Sequence, residues 1–305
     1  MGWLLDPEAN VRHYLAERSM IGRASQCWTR IVHRSVSKEH AVLAFDEGCW
    51  TLKDLGSRNG TWVEGKRLES GEMVPVEREA RLQFGDRTLA LDTVEPPTLC
   101  ARNEATGHYL VAESGLLSLP DDDSPWASAY ESHPGSWFID LEGETRPLQD
   151  GDTYYWKNQR FLLRVPSSEM RRSFESTVAA GGQLVLPELK LCLDVSRDGE
   201  SITTRLLAEA RVLRVPPRST HQLLLVLGRQ RQRDEAEGLT ASECGWVYSD
   251  ELATMMGADP QKVNLDVHRL RQQLASLGVL DAGRIVERRA TSHQIRLGVA
   301  KIEIQ

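Results

Sequence analysis

Three short segments within the first seventy residues bring together groups suited to holding an anion. In chain order they are Gly22-Arg23, Ser37-Lys38-Glu39-His40 and Ser57-Arg58-Asn59-Gly60-Thr61. Arg23 supplies a forked guanidinium, Ser37 a hydroxyl, Lys38 and Arg58 further positive charge, and Asn59 an amide that both donates and accepts. A phosphorylated side chain carries about two negative charges and three strong acceptor oxygens, and forks, hydroxyls and backbone donors are what hold it. Gly22 and Gly60 allow tight turns without a Cβ in the way. Taken singly, each residue also reads as a solvated charge or a hairpin turn. It is the ordered set, on strand-like sequence, that points to anion binding.

A second set lies near the carboxyl end. Lys262, Asn264, His268, Arg269 and Arg271 share one helical stretch, and Arg288 and Arg289 follow in a narrow basic loop. Long donors of this kind reach phosphates or guanine edges, and Asn264 can pair with adenine. The alternative is that the same charges form only a solvated helix face. The sequence contains no Walker-type glycine loop, no His-Glu-x-x-His, no nucleophile elbow and no paired-cysteine metal spacing. It therefore predicts no enzyme, no catalytic residue, no cofactor and no metal.

Elements with two different periodicities must position these groups. Residues 1–95 read as short strands at 11–15, 31–32, 41–45, 50–52, 61–63 and 88–91, separated by Gly- and Asn-bearing turns. Glu95-Pro96-Pro97 then breaks the pattern and marks a boundary. Residues 98–166 are again β-like, with candidates at 109–111, 137–139 and 161–163, and 167–183 read as a linker with room for a short helix. From residue 184 come strands at 184–186, 189–195 and 210–215, then three helices and a hairpin. Ser219, Ser249 and Asp259 are the expected helix caps, with Pro260 at the first position of the third helix and Gly257 ending the second. Along the third helix Val263, Val267, Leu270, Leu274 and Leu277 recur at helical spacing and predict one buried stripe.

The amino-terminal set resembles the phosphothreonine-binding face of a forkhead-associated (FHA) domain, and Val63-Glu64-Gly65-Lys66 and Leu82-Gln83-Phe84-Gly85-Asp86 extend the likeness. The resemblance implies that Arg23 and Ser37 hold a phosphate, that Lys38 and Arg58 add charge, that Asn59 fixes the peptide backbone, and that His40 braces the loops from beneath. Residues 184–298 resemble the effector domain of OmpR/PhoB-type response regulators, through Val263, Val267, Leu270, Arg271 and Leu274. That likeness implies a third helix in the major groove and a wing beside it. Asp266 stands where that family commonly has His, and the wing lacks its usual Gly-Tyr close.

The expected class is thus multidomain: an all-β FHA-like sandwich over 1–95, a β-rich acidic middle over 98–166, a linker over 167–183, and an α+β winged helix-turn-helix over 184–305. In the middle, Leu148-Gln149-Asp150-Gly151-Asp152 echoes Leu82-Gln83-Phe84-Gly85-Asp86, which suggests a degenerate second FHA-like unit without the binding residues. The predicted function is a transcriptional regulator that binds a threonine-phosphorylated partner, linked to a Ser/Thr kinase, and double-stranded DNA. A homodimer is left open. The alternative is a phosphothreonine-dependent adaptor whose winged helix contacts proteins.

Composition bounds these readings. The chain has 305 residues and a net charge of -7, which argues against indiscriminate coating of nucleic acid. The charge is segregated, however: residues 95–165 hold 12 acidic and 5 basic side chains, and residues 261–298 hold 7 basic and 3 acidic ones. Asp121-Asp122-Asp123 are therefore candidates to screen the basic wing or to mimic phosphate in the Arg23 pocket. The five cysteines are scattered and read as small buried hydrophobes. No basic leader and no long apolar run is present, so the expected location is cytoplasmic, with no membrane partner.

Overall fold

The computed structural model describes all residues except Met1, 123–124, 134, 142–143, 168–183, 200, 209–210 and 290–291, and of His133 only the backbone. The helix expected in 167–183 and Asp123 of the acidic triplet fall outside the described residues. The chain divides into two compact units, one of residues 1–111 and 149–178, the other of 112–148 and 179–305. The Pro96-Pro97 break interrupts the sheet without ending the first unit. Residues 98–166, read as one middle segment, contribute one four-stranded sheet to each unit.

In the first unit a six-stranded sheet has the order Val11–Tyr14, Gly2–Asp6, Arg87–Val94, Arg81–Phe84, Thr61–Val63, Lys66–Arg67. A five-stranded sheet has the order Thr29–Arg30, Arg18–Gly22, Ala41–Asp46, Cys49–Asp54, Met73–Val76. Side chains alternate across each strand, so Trp50, Leu52 and Asp54 of Cys49–Asp54 all point inward. Apolar residues of both sheets, among them Leu4, Ile21, Leu43, Leu52, Leu82 and Leu89, form one core, which makes the pair a sandwich. A further sheet, Tyr109–Val111, Cys100–Asn103, Gln159–Arg164, Thr153–Trp156, belongs to the same unit. Its Arg102 lies over the Trp28 ring at 5.1 Å and donates to the carbonyls of Cys27 and Trp28.

The second unit holds the sheet Leu116–Leu119, Ala127–His133, Ser136–Leu141, Glu144–Pro147 and the sheet Arg211–Val215, Ile202–Ala208, Lys190–Val195, Lys301–Ile304, in which the last pair is parallel. Helices α1 (His221–Ala236), α2 (Ser249–Met255) and α3 (Pro260–Ser276) follow, with the three-stranded sheet Val247–Tyr248, Gln294–Leu297, Val286–Arg288. Val263, Val267, Leu270 and Leu274 are buried as the α3 stripe requires, in a core that also takes Leu223, Leu224 and Leu227 of α1. Four of the five cysteines are buried, and Cys49 is exposed, contrary to expectation, because it stands at the turn-facing end of its strand.

Candidate functional site

The strand Arg18–Gly22 runs directly into Arg23, and two backbone bonds fix where that arginine begins. The Arg23 N–H donates to the Ser37 carbonyl (3.0 Å) and the Ala24 N–H to the Lys38 carbonyl (3.1 Å). Gly22 is required by this approach: a Cβ there would stand 2.2 Å from the Lys38 carbonyl oxygen. The loop of Ser37 is held to the Gly60 loop by the buried His40. Its Nδ1 accepts the Ser37 N–H (3.0 Å), and its Nε2 donates to the Gly60 carbonyl (2.9 Å). Burial pushes the His40 imidazole below its usual pKa, in keeping with this neutral tautomer.

Asp54, at the inward end of its strand, organises the third loop. Its carboxylate accepts the N–H groups of Gly56 (2.7 Å) and Ser57 (3.0 Å) and the hydroxyl of Thr61 (2.6 Å). Burial opposes ionisation of Asp54, but these hydrogen bonds together hold it below the usual carboxylate range. The Arg58 N–H donates to the Ser37 hydroxyl (3.0 Å), and the Asn59 amide donates to the Ser35 carbonyl (2.7 Å). The three sequence segments thus meet at one cleft of about 330 Å³, lined by Arg23, Ser37, Lys38, Arg58 and Asn59 together with Arg34 and Ser35. Arg23, Arg34, Lys38 and Arg58 make no ion pair among the described residues, so the cleft gathers four positive charges without a partner. Arg34 and Asp54 were missed in the sequence. Asp54 was findable, because Asp54-Leu55-Gly56-Ser57 has the composition of an Asx turn; Arg34 carries no local signal.

Residues 20–85 match the FHA domain family. They are an FHA domain. The FHA domain contains every residue that lines the cleft. The chain is 29% identical over 79 residues to the ABC transporter ATP-binding/permease protein Rv1747 of Mycobacterium tuberculosis, across 24% of this chain and 9% of that protein. Among solved structures it is similar to Mycobacterium tuberculosis EmbR in complex with a low-affinity phosphopeptide, at 23% identity and a TM-score of 0.29, across 32% of this chain and 25% of that one. It is also similar to the N-terminal FHA domain of S. cerevisiae Rad53p in complex with a phosphothreonine peptide, at 16% identity and a TM-score of 0.28, across 29% of this chain and 90% of that one.

The carboxyl-terminal set is distributed differently. Arg269 and Arg289 are exposed, with Arg289 stacked over the Trp246 ring at 4.3 Å, and the half-exposed Lys262 side chain pairs with Asp266 one turn along α3 (2.6 Å). The other members are turned inward, and this corrects the expectation that they form an open contact face. His268 is 2% exposed, with Ser118 (3.0 Å) and Ser128 (2.9 Å) on its two ring nitrogens. Arg271 is 1% exposed; it donates to Asp140 (2.5 Å) and to the Val286 carbonyl (3.0 Å). The Arg288 side chain lies 3.4 Å from the same Asp140 oxygen and donates to Asn264 (2.8 Å), which occupies that amide as well. For the two arginines the cause is one aspartate on the strand Ser136–Leu141, and for His268 it is the serines of the strands Leu116–Leu119 and Ala127–His133.

Proposed function

We propose that this protein reads phosphothreonine on a partner, itself the product of a Ser/Thr kinase, and passes the signal to duplex DNA through a carboxyl-terminal winged helix, by binding and not by catalysis. The observation that carries the reading is the cleft in which Arg23, Arg34, Lys38 and Arg58 surround Ser37 and Asn59 without an acidic partner among the described residues. Arg23 offers the forked donor for two phosphate oxygens. The Ser37 oxygen already accepts the Arg58 N–H, so its proton is available to the phosphate. The bracing by His40 and Asp54 fixes this arrangement before a ligand arrives, which lowers the entropy lost on binding.

The reading is tested by calorimetry with matched peptides that carry threonine or phosphothreonine. Phosphorylation should confer measurable binding, and Arg23→Ala should weaken it by about 100-fold, the equivalent of about 3 kcal/mol for a bidentate charge-assisted contact. Equal binding of the two peptides would end the proposal.

The duplex half of the reading is supported by the order of elements, a long and a short helix before α3 and a basic hairpin after it, and by the exposure of Arg269 and Arg289. The burial of His268, Arg271 and Arg288 favours a second reading, a phosphothreonine-dependent adaptor whose carboxyl-terminal unit meets proteins only.

A further inference from the structure

We infer that the sheet of residues 116–147 acts as a shutter over the duplex-facing side of α3, with Asp140 standing in for a nucleic-acid phosphate. The inference rests on the duplex-binding reading above, and all of its residues lie within the second unit. Arg271 and Arg288 converge on one oxygen of Asp140, at 2.5 and 3.4 Å, as two arginines converge on a phosphate oxygen. Burial opposes ionisation of Asp140, yet the two guanidinium groups hold it below the usual carboxylate range, so the mimic is charged. The Arg271 guanidinium also lies over the Tyr130 ring at 4.3 Å. His268, on the same side of α3, is closed in by Ser118 and Ser128 of the adjoining strands, and Asp122 stands 3.6 Å from its Nε2. The acid expected from the sequence to do the screening was the triplet at 121–123; the principal one is Asp140.

Two observations mark this contact as separable. The apolar core of the carboxyl-terminal segment is built from residues between 184 and 304, and no residue of the 116–147 sheet joins it among the described residues. The contact is instead made chiefly of ion pairs and hydroxyls, with the Tyr130 ring among them, as in interfaces between parts that part and rejoin. It leaves a cleft of about 490 Å³, bordered by Trp126, Asp140, Lys262 and Arg288, where a permanent core would be close-packed. One close packing also crosses it: Gly283, in the 3-10 turn Ala282–Ile285, admits the Tyr130 ring only because it has no side chain, and a Cβ there would lie 2.2 Å from that ring.

The last point supplies a test independent of charge. Asp140→Asn removes the phosphate mimic, and Gly283→Ala wedges the sheet away without touching an ionisable group. Each full-length variant is compared with the unaltered protein in two measurements: carbethoxylation of His268, read by peptide mass spectrometry, and affinity for a labelled mixed-sequence duplex at low salt. Both variants are expected to make His268 reactive and to raise duplex affinity by about tenfold or more, as a shift from a mostly closed population gives. His268 that stays protected in both folded variants overturns the shutter, because the sheet is then fixed structure. If His268 becomes reactive and all three proteins bind duplex equally, masking is overturned while duplex binding stands. If His268 becomes reactive and none binds duplex, the duplex reading fails and the inference fails with it.

Discussion

The contrast between Arg23 and Arg271 shows what a single residue reveals of its own role. The place of Arg23 beside Ser37 and Asn59 is legible because these residues lie on loops joined by short strands, so that sequence order nearly fixes spatial order. Arg271 looked equally available, but its partner Asp140 is 131 residues away on a strand with nothing local to single it out. His268 was misread for the same reason, and its burial has a consequence that can be titrated. Burial pushes its pKa down to about 4, against an ordinary value of 6.5, with Asp122 opposing the shift and Arg271 and Arg269 adding to it. The folded second unit therefore binds fewer protons there than the unfolded chain does. The stabilisation is complete above the ordinary imidazole value and is lost as pH falls from about 6.5 toward 4, by up to about 3 kcal/mol. Denaturant unfolding across that window should show the slope, and His268→Gln should flatten it.

At the scale of elements, the third helix was the most legible part of the chain. Asp259 caps it as expected, accepting the Lys262 N–H (2.7 Å), and Pro260 occupies its first position. Asp259→Ala should destabilise the second unit by about 1 kcal/mol, measured by thermal or denaturant unfolding, with the phosphopeptide affinity of the FHA domain unchanged. The other two caps were misplaced. Helix α1 begins at His221 without a side-chain cap, and the Ser249 hydroxyl is taken by the His293 carbonyl (2.7 Å), so a tertiary contact outweighs the local motif. The strand Ile202–Ala208 went unread because Thr203, Thr204 and Arg205 interrupt its apolar alternation. Arg18–Gly22, which delivers Arg23, was missed too: its sequence has only Met20 and Ile21 as large apolar residues. The first strand of the carboxyl-terminal hairpin starts at Val286 and not at Arg284, which lies in a short 3-10 turn.

For the whole molecule, the net charge of -7 conceals two opposed regions, and the structure shows how part of the opposition is resolved. Acidic Asp140 engages two of the basic groups counted between 261 and 298 and offsets the charge of one. The positive surface left for a polyanion is consequently smaller than the sequence suggests, with Arg269 and Arg289 exposed and Lys262 exposed but paired with Asp266. On the proposed duplex reading, affinity should fall with rising salt, and replacing both arginines by alanine should lower the slope of log affinity against log salt by about 2; an unchanged slope would remove both arginines from the contact. No helix among the described residues is long and apolar enough to cross a membrane. The FHA cleft has the reverse electrostatic situation. On the proposed reading a phosphothreonine brings about two negative charges to four cationic side chains, so roughly two positive charges stay uncompensated when the phosphate alone is engaged. That reading then predicts tighter capture of a phosphothreonine set among aspartates and glutamates than of the same residue set among lysines, a preference that calorimetry with the two peptides would measure.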